Sequence, residues 1–102
     1  MKFIILYITY PDLKTAKTIS NRLLKQKLVA CVNFMPITSS YIWQGKIKNT
    51  KEIVALTKTK TENWRRIKKE IEKLHPYDIP CVIKIEAEAN KEYVKWIESE
   101  TK

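Results

Sequence analysis

Glycine and histidine each occur only once among the 102 residues of this chain. A glycine-rich phosphate loop needs more than one glycine, and the zinc-protease helix motif needs two histidines, so the sequence excludes both. It also contains no CxxC pair and no arrangement of Ser, His and Asp along the chain that is typical of a hydrolase catalytic triad. Because acid–base catalysis lacks its usual side chains, we predict that the chain is not an enzyme.

Cysteine and long apolar runs are also scarce. Two cysteines, Cys31 and Cys81, do not make a disulfide framework, and we expect both thiols to be reduced. No run approaches the roughly 18 apolar residues that would cross a bilayer. The run Phe3–Ile8 precedes Pro11 and lacks a small-residue cleavage site, so it predicts a buried strand. We therefore expect a cytoplasmic protein with no membrane partner.

Positive charge is abundant, with 20 Lys and Arg against 11 Asp and Glu. The cations are scattered, and the densest group, Arg65–Lys69, is followed at once by Glu70 and Glu72. A nucleic-acid-binding face needs clustered cations with aromatic partners. We therefore predict solvated helix faces and no nucleic-acid partner, with binding through the Lys-rich helices as a weaker alternative. The many charged residues also suit a thermostable protein.

The stretch Leu28–Lys60 consists of two apolar, β-branched and aromatic runs separated by Gln44 and Gly45. Glycine reaches positive φ without steric cost, so this position predicts the turn of one long β-hairpin. Each arm would contain about fifteen residues, whereas a usual strand contains about 5 to 6. A single domain of this size cannot cover such arms, whose free edges expose backbone donors and acceptors. We therefore predict a homo-oligomer.

Two further strands and three helices are predicted outside the hairpin. Asp12, Thr61 and Asn90 each precede a helical pattern and could accept a hydrogen bond from a free amide there. The predicted elements are a central strand at Phe3–Thr9, a helix from Leu13 to about Lys27, a helix from Thr61 to Leu74, a strand at Cys81–Ile85 and a helix after Asn90.

The order β-α-β-β-α-β-α, without a linker or repeat, predicts a single domain covering residues 1–102. Two βαβ halves joined by a hairpin give the ferredoxin-like arrangement of the α+β class, with two helices on one face of an antiparallel sheet. In its usual strand order, 4-1-3-2, Cys31 and Cys81 lie about 14 Å apart. That distance excludes a disulfide between them. We expect the extra C-terminal helix to close the bare sheet face or a subunit contact.

Several short motifs follow one another along nearly the whole chain. They are Leu28–Asn33, Pro36, Ser40-Tyr41, Trp43–Ile47, Glu52, Lys58-Thr59 and His75–Pro80. Together they resemble the CutA family of divalent-cation tolerance proteins. The resemblance implies a cytoplasmic homotrimer in which the hairpins extend neighbouring sheets, and a link to copper and other divalent metals. It implies no established enzymatic activity and no obligatory cofactor.

The candidate metal ligands are His75, Cys81 and Glu52. His75 ends the second predicted helix, and the following proline-flanked turn could bring Cys81 close to it. Imidazole and thiolate suit Cu(I), Cu(II) or Zn(II), although Glu52 or a neighbouring subunit would have to complete the ligand shell. The alternative for His75 is to cap helix carbonyls as an imidazolium.

Four other residues are candidates for the cleft or the trimer contact. Tyr41 and Trp43 place two large aromatic rings on one strand face, where they could pack between subunits or stack on a ligand. Tyr77, with Asp78, could line the same cleft, or the two residues could only anchor their loop. Cys31 lies within a strand and is expected to be a small buried hydrophobe, with a redox or metal role as the alternative.

Two positions depart from the family pattern. Ile8 stands where some members carry a cysteine implicated in metal binding, and Cys81 stands where a glutamate often follows the HPYxxP motif. The first change removes a candidate ligand, and the second substitutes a softer one. The alternative function is a signalling or scaffold trimer, similar in build to nitrogen-regulatory PII proteins, whose clefts bind a small anion or a partner protein.

Overall fold

The computed structural model describes all 102 residues, which form one four-stranded sheet and three helices. The elements are β1 (Lys2–Tyr10), α1 (Leu13–Lys25), β2 (Cys31–Trp43), β3 (Lys46–Thr59), α2 (Trp64–Leu74), β4 (Val82–Glu88) and α3 (Lys91–Ser99). The strands are all antiparallel and lie in the order β2-β3-β1-β4. This is the predicted order seen from the opposite edge, so the ferredoxin-like α+β fold is confirmed.

Strand β1 is the central element of the core. It pairs with β3 on one side and β4 on the other, as its unbroken apolar character predicted. Alternate residues of a strand point to opposite faces, and the even-numbered residues of β1 pack against α1 and α2. This main core contains Ile4, Leu6, Ile8 and Tyr10 of β1 together with Ala16, Ile19, Leu23, Ile67 and Ile71 of the two helices.

The opposite face of the sheet is covered at one end only. Phe3 of β1 packs there against Val94 and Ile97 of α3 in a small second cluster. The expectation that the extra helix closes the bare face is therefore met near the start of β1. Further along, Ile83 and Ile85 of β4 remain 49% and 42% exposed. Most of this face is open to a ligand or to another subunit.

The predicted hairpin is present, with arms of 13 and 14 residues. Its pairing runs without interruption from Cys31 opposite Lys58 to Trp43 opposite Lys46. The turn consists of Gln44 and Gly45, whose φ angles are 52° and 77°. Positive φ at both central residues matches the right-handed twist of the flanking strands, which explains why the only glycine lies here.

The hairpin extends well beyond the rest of the sheet. Strand β1 ends where Tyr10 pairs with Ile53, because Pro11 follows and breaks the strand. From that level onward, Ile37–Trp43 pairs only with Lys46–Glu52. We call these two segments the ribbon. Within the ribbon, the edge of β3 that pairs with β1 elsewhere in the sheet has no partner strand.

The ribbon also exposes apolar side chains. Ile42 and Ile47 face each other across its two strands and are 74% and 75% exposed. At its base, Pro36 lies on edge strand β2 opposite Ile53, within a continuous register. Proline cannot donate to a strand ladder, and this edge position accommodates Pro36 without a bulge. An unpaired edge with exposed isoleucines is a surface that another chain can pair with.

The two cysteines lie at opposite edges of the sheet and are free, as predicted. Cys31 begins edge strand β2, and Cys81 immediately precedes edge strand β4. Cys31 is half-buried within this chain and not fully buried, as a small buried hydrophobe would be. The reason is its position on the outermost strand, where nothing covers the free edge.

The predicted helix caps are only partly correct. Asp12 caps α1, because the backbone amide of Thr15 donates to its carboxylate at 2.7 Å. Thr61 does not cap a helix but begins a 3-10 turn, and α2 starts only at Trp64. Asn90 has the N-cap position of α3 but makes no side-chain cap bond.

A buried polar network explains the later start of α2. Thr59 Oγ1 donates to the carbonyl of Leu28 at 2.6 Å. Asn63 Nδ2 donates to the same carbonyl at 3.1 Å and to Thr59 Oγ1 at 3.2 Å. Asn63, which immediately precedes α2, thus links β3 to the connection between α1 and β2. The 3-10 turn positions the Asn63 side chain for these bonds.

This network yields a stability prediction with a matched control. Thr57 and Thr59 are buried on the same face of β3, but the hydroxyl of Thr57 has no hydrogen-bond partner. Thr59→Val should lower the free energy of unfolding by about 1–3 kcal/mol because it removes a buried hydrogen bond. Thr57→Val should be neutral or stabilising. Denaturant unfolding at one protein concentration measures both, and equal losses would contradict the network's role.

Candidate functional site

A cavity of about 690 Å³ lies on the sheet face that α3 leaves open. Its floor includes Tyr7 and Thr9, the residues of β1 that point away from the main core. The ribbon and the connection between α2 and β4 supply the walls. The lining residues are Tyr7, Thr9, Ser39, Tyr41, Trp43, Glu52, Pro76, Tyr77, Asp78, Ile79 and Cys81.

The structure brings together most of the residues that the sequence singled out. Glu52, Cys81, Tyr41, Trp43 and Tyr77 all line the cavity, as does Asp78. Two predicted residues are absent from the lining. His75 lies buried behind it, and Cys31 lies on the far edge strand.

Tyr7, Thr9 and Ser39 also line the cavity, although none of them was predicted from the sequence. An alternation pattern could have identified Tyr7 and Thr9, because both occupy odd-numbered positions of β1 opposite the core-facing residues. The apolar run of β1 obscured that pattern, since both of its faces are largely apolar.

Glu52 and Tyr77 are held together within the cavity. The Tyr77 hydroxyl donates to Glu52 Oε2 at 2.7 Å, which joins the base of the ribbon to the loop after α2. Burial raises the pKa of Tyr77 above its ordinary value, and the hydrogen bond to the Glu52 carboxylate raises it further. Tyr77 therefore stays protonated and continues to donate. Its ring packs on His75, with the two ring centroids 4.7 Å apart.

Both ring nitrogens of His75 are engaged inside the chain. Nε2 donates to the carbonyl of Thr9 at 2.7 Å, and Nδ1 accepts from the backbone amide of Tyr77 at 3.1 Å. The ring is also stacked on Tyr10, with centroids 4.9 Å apart. Burial lowers the pKa of His75, against the opposing effects of the Thr9 carbonyl and of Glu52. His75 is thus a neutral anchor, and the imidazolium helix cap considered from the sequence is wrong.

Cys81 contributes a half-buried thiol to the cavity. Its burial raises the pKa of the thiol, and the nearby negative charge of Glu52 raises it further, while a hydrogen bond with Thr9 lowers it. A metal ligand must be a thiolate, so metal binding at Cys81 would have to displace a proton.

The predicted metal set is not assembled within one chain. No group of three or more His, Cys, Asp and Glu side chains is placed to hold a metal ion. Glu52 and Cys81 share the cavity, but the nitrogens of His75 are already bonded elsewhere. A closed ligand shell would therefore need donors from outside this chain.

The fold and cavity define the class of the protein: a ferredoxin-like α+β chain with an over-long β2–β3 hairpin and an open cavity beside it. Residues 4–100 match the CutA1 divalent ion tolerance proteins. The chain belongs to that family.

Relatives from two organisms match over almost their full length. A divalent-cation tolerance protein CutA from Pyrococcus horikoshii is 42% identical over 97% of this chain and 98% of its own. A crystal structure of CutA1 from that organism has a TM-score of 0.94 at 41% identity, again over 97% and 98% of the two chains. The periplasmic divalent cation tolerance protein CutA from Archaeoglobus fulgidus has a TM-score of 0.92 at 39% identity, over 98% of each chain.

The names of relatives place them in more than one compartment. The Archaeoglobus protein is called periplasmic. A CutA protein of Arabidopsis thaliana is called chloroplastic; it is 31% identical over 97% of this chain, which spans 56% of that protein. In the present chain, every helix is too short or too polar to cross a membrane.

The neutral, buried His75 predicts a pH dependence. Because its pKa is lowered from 6.5 by folding, the unfolded chain binds a proton more readily than the folded one. The contribution of His75 to the free energy of unfolding should therefore be fully present above about pH 6.5. It should decrease as the pH falls below that value. Denaturant unfolding should show this decrease in the wild type but not in His75→Gln.

The imidazole of His75 is the only one in the chain, so its NMR signals can be followed without assignment by mutation. We expect its titration midpoint in the folded protein to lie below 6.5. A midpoint at or above 6.5 would contradict the assignment of His75 as a neutral anchor.

Proposed function

We propose that the protein is a cytoplasmic homotrimer that takes part in divalent-metal tolerance and binds copper or another divalent ion at the cavity. The observation that carries this proposal is the lining of the cavity, where Glu52 and the thiol of Cys81 lie together without a lysine or arginine. A cation is therefore the favoured occupant. The family to which the chain belongs is described by tolerance of divalent ions.

The ribbon supports the oligomeric part of the proposal. Its unpaired β3 edge and the exposed Ile42 and Ile47 would be covered if ribbons from neighbouring copies paired with one another's sheets. The open sheet face, with Ile83 and Ile85 exposed, offers a second surface for the same contact. Closed rings of identical subunits satisfy such surfaces without leaving free edges.

The proposed ligands are Cys81 and Glu52, completed by donors from a neighbouring subunit. A thiolate favours copper or zinc over the hard ions that prefer oxygen alone. His75 could join them only by giving up the hydrogen bond that its Nδ1 accepts from Tyr77. Its role in the absence of metal is to hold the loop that carries Tyr77.

The cavity does not favour the alternative of a small anionic ligand. Anion sites normally offer Lys, Arg or free backbone amides, whereas the charged side chains of this lining are Glu52 and Asp78. The proposal includes no catalytic step. The cytoplasmic location is proposed because the chain has only two cysteines, which do not make the disulfide framework typical of small secreted proteins.

Calorimetric titration with Cu(II), and with Cu(I) under anaerobic conditions, tests the metal site. Cys81→Ser should reduce the Cu(I) affinity at least about tenfold, since the soft ligand is lost. The matched control is Cys31→Ser, which removes a thiol outside the cavity and should leave binding unchanged.

His75→Gln distinguishes an anchor from a ligand. If His75 only anchors the loop, this variant should keep the copper affinity of the wild type while losing stability. Unchanged copper binding in Cys81→Ser, or equal losses in the two cysteine variants, would contradict the proposed site.

A further inference from the structure

The cavity differs sharply in chemistry from the rest of the protein. Its lining includes four aromatic side chains, Tyr7, Tyr41, Trp43 and Tyr77, and two acids, Glu52 and Asp78. It contains no Lys or Arg, although the chain has 20 of them and a net charge of +9. Several aromatic rings with carboxylates and no competing cation form the surroundings in which proteins bind organic cations.

We propose that this cavity binds a small organic cation of the alkylated or quaternary ammonium class. The electron-rich ring faces attract the diffuse positive charge of the alkyl groups, which a metal ion does not have. Glu52 and Asp78 supply the compensating negative charge. The proposal does not depend on metal binding, because it uses the aromatic rings and carboxylates of the lining and not the thiol of Cys81.

The aromatic residues are positioned by three separate parts of the fold. Tyr7 belongs to the central strand β1, Tyr41 and Trp43 belong to β2, and Tyr77 follows α2. Tyr77 is fixed from two directions, by its 2.7 Å hydrogen bond to Glu52 and by its packing on His75. A site preformed in this way loses little conformational entropy on binding.

The volume of the cavity also favours an organic ligand. Small-molecule pockets in proteins enclose about 300–1,000 Å³, and this one encloses about 690 Å³.

Choline and its uncharged isostere 3,3-dimethylbutan-1-ol form a matched pair of probes, since they differ in charge but hardly in shape. Calorimetric titration of the intact protein should give a choline affinity at least about tenfold higher than that of the isostere. Equal affinities would show that the cavity recognises only an apolar shape. No saturation by choline would also overturn the proposal.

Variants locate the binding and separate it from the metal site. Trp43→Leu should weaken choline binding about tenfold, whereas Trp96→Leu removes an exposed tryptophan outside the cavity and should change nothing. Glu52→Gln keeps the acceptor for Tyr77 but removes the charge, so it should weaken choline binding and not that of the isostere. These outcomes remain decisive even if Trp43→Leu folds poorly.

Cys81→Ser distinguishes the two proposals for this cavity. It should lose Cu(I) affinity while retaining choline affinity, because the thiol takes no part in binding the ammonium group. Loss of choline binding in Cys81→Ser, or equal losses in Trp43→Leu and Trp96→Leu, would overturn the assignment of an aromatic cation site.

Discussion

The structure depends on the mismatch in length between β1 and the hairpin. Strand β1 stops at Tyr10, while the ribbon continues to the turn at Gln44 and Gly45 with no third strand beside it. Backbone groups on such a free edge need partners. The cavity depends on the same feature, because Tyr41 and Trp43 project from the ribbon. Whatever holds the ribbon in place therefore also maintains the site.

Much of the fold could be predicted because local sequence and tertiary structure agree. The lone Gly45 lies at the one turn that requires positive φ, and the unbroken apolar run of β1 matches a central strand that is paired along both of its edges. The prediction failed where a side chain had a distant partner. Thr61 looked like a helix cap, but the helix starts later because Asn63 bonds across to Leu28. A bond between residues so far apart in sequence leaves no periodic signal.

Several members of the site were predictable from the sequence, but their arrangement was not. The sequence motifs led to Glu52, Tyr77 and Cys81 as candidate site residues, and all three line the cavity. His75 belongs to the same motif, yet its ring turns inward to the carbonyl of Thr9. A sequence identifies a histidine but does not show which hydrogen bonds its nitrogens make. That detail decides here between a metal ligand and a structural anchor.

The central claim is that the ribbon requires other copies of the chain, and the mass of the protein in dilute solution tests it most directly. Multi-angle light scattering at decreasing concentration should give three times the 12.1 kDa mass of the chain, with no drift toward a smaller species. A stable, monodisperse protein of 12.1 kDa would contradict the claim. It would show that one chain can keep its exposed ribbon without a partner.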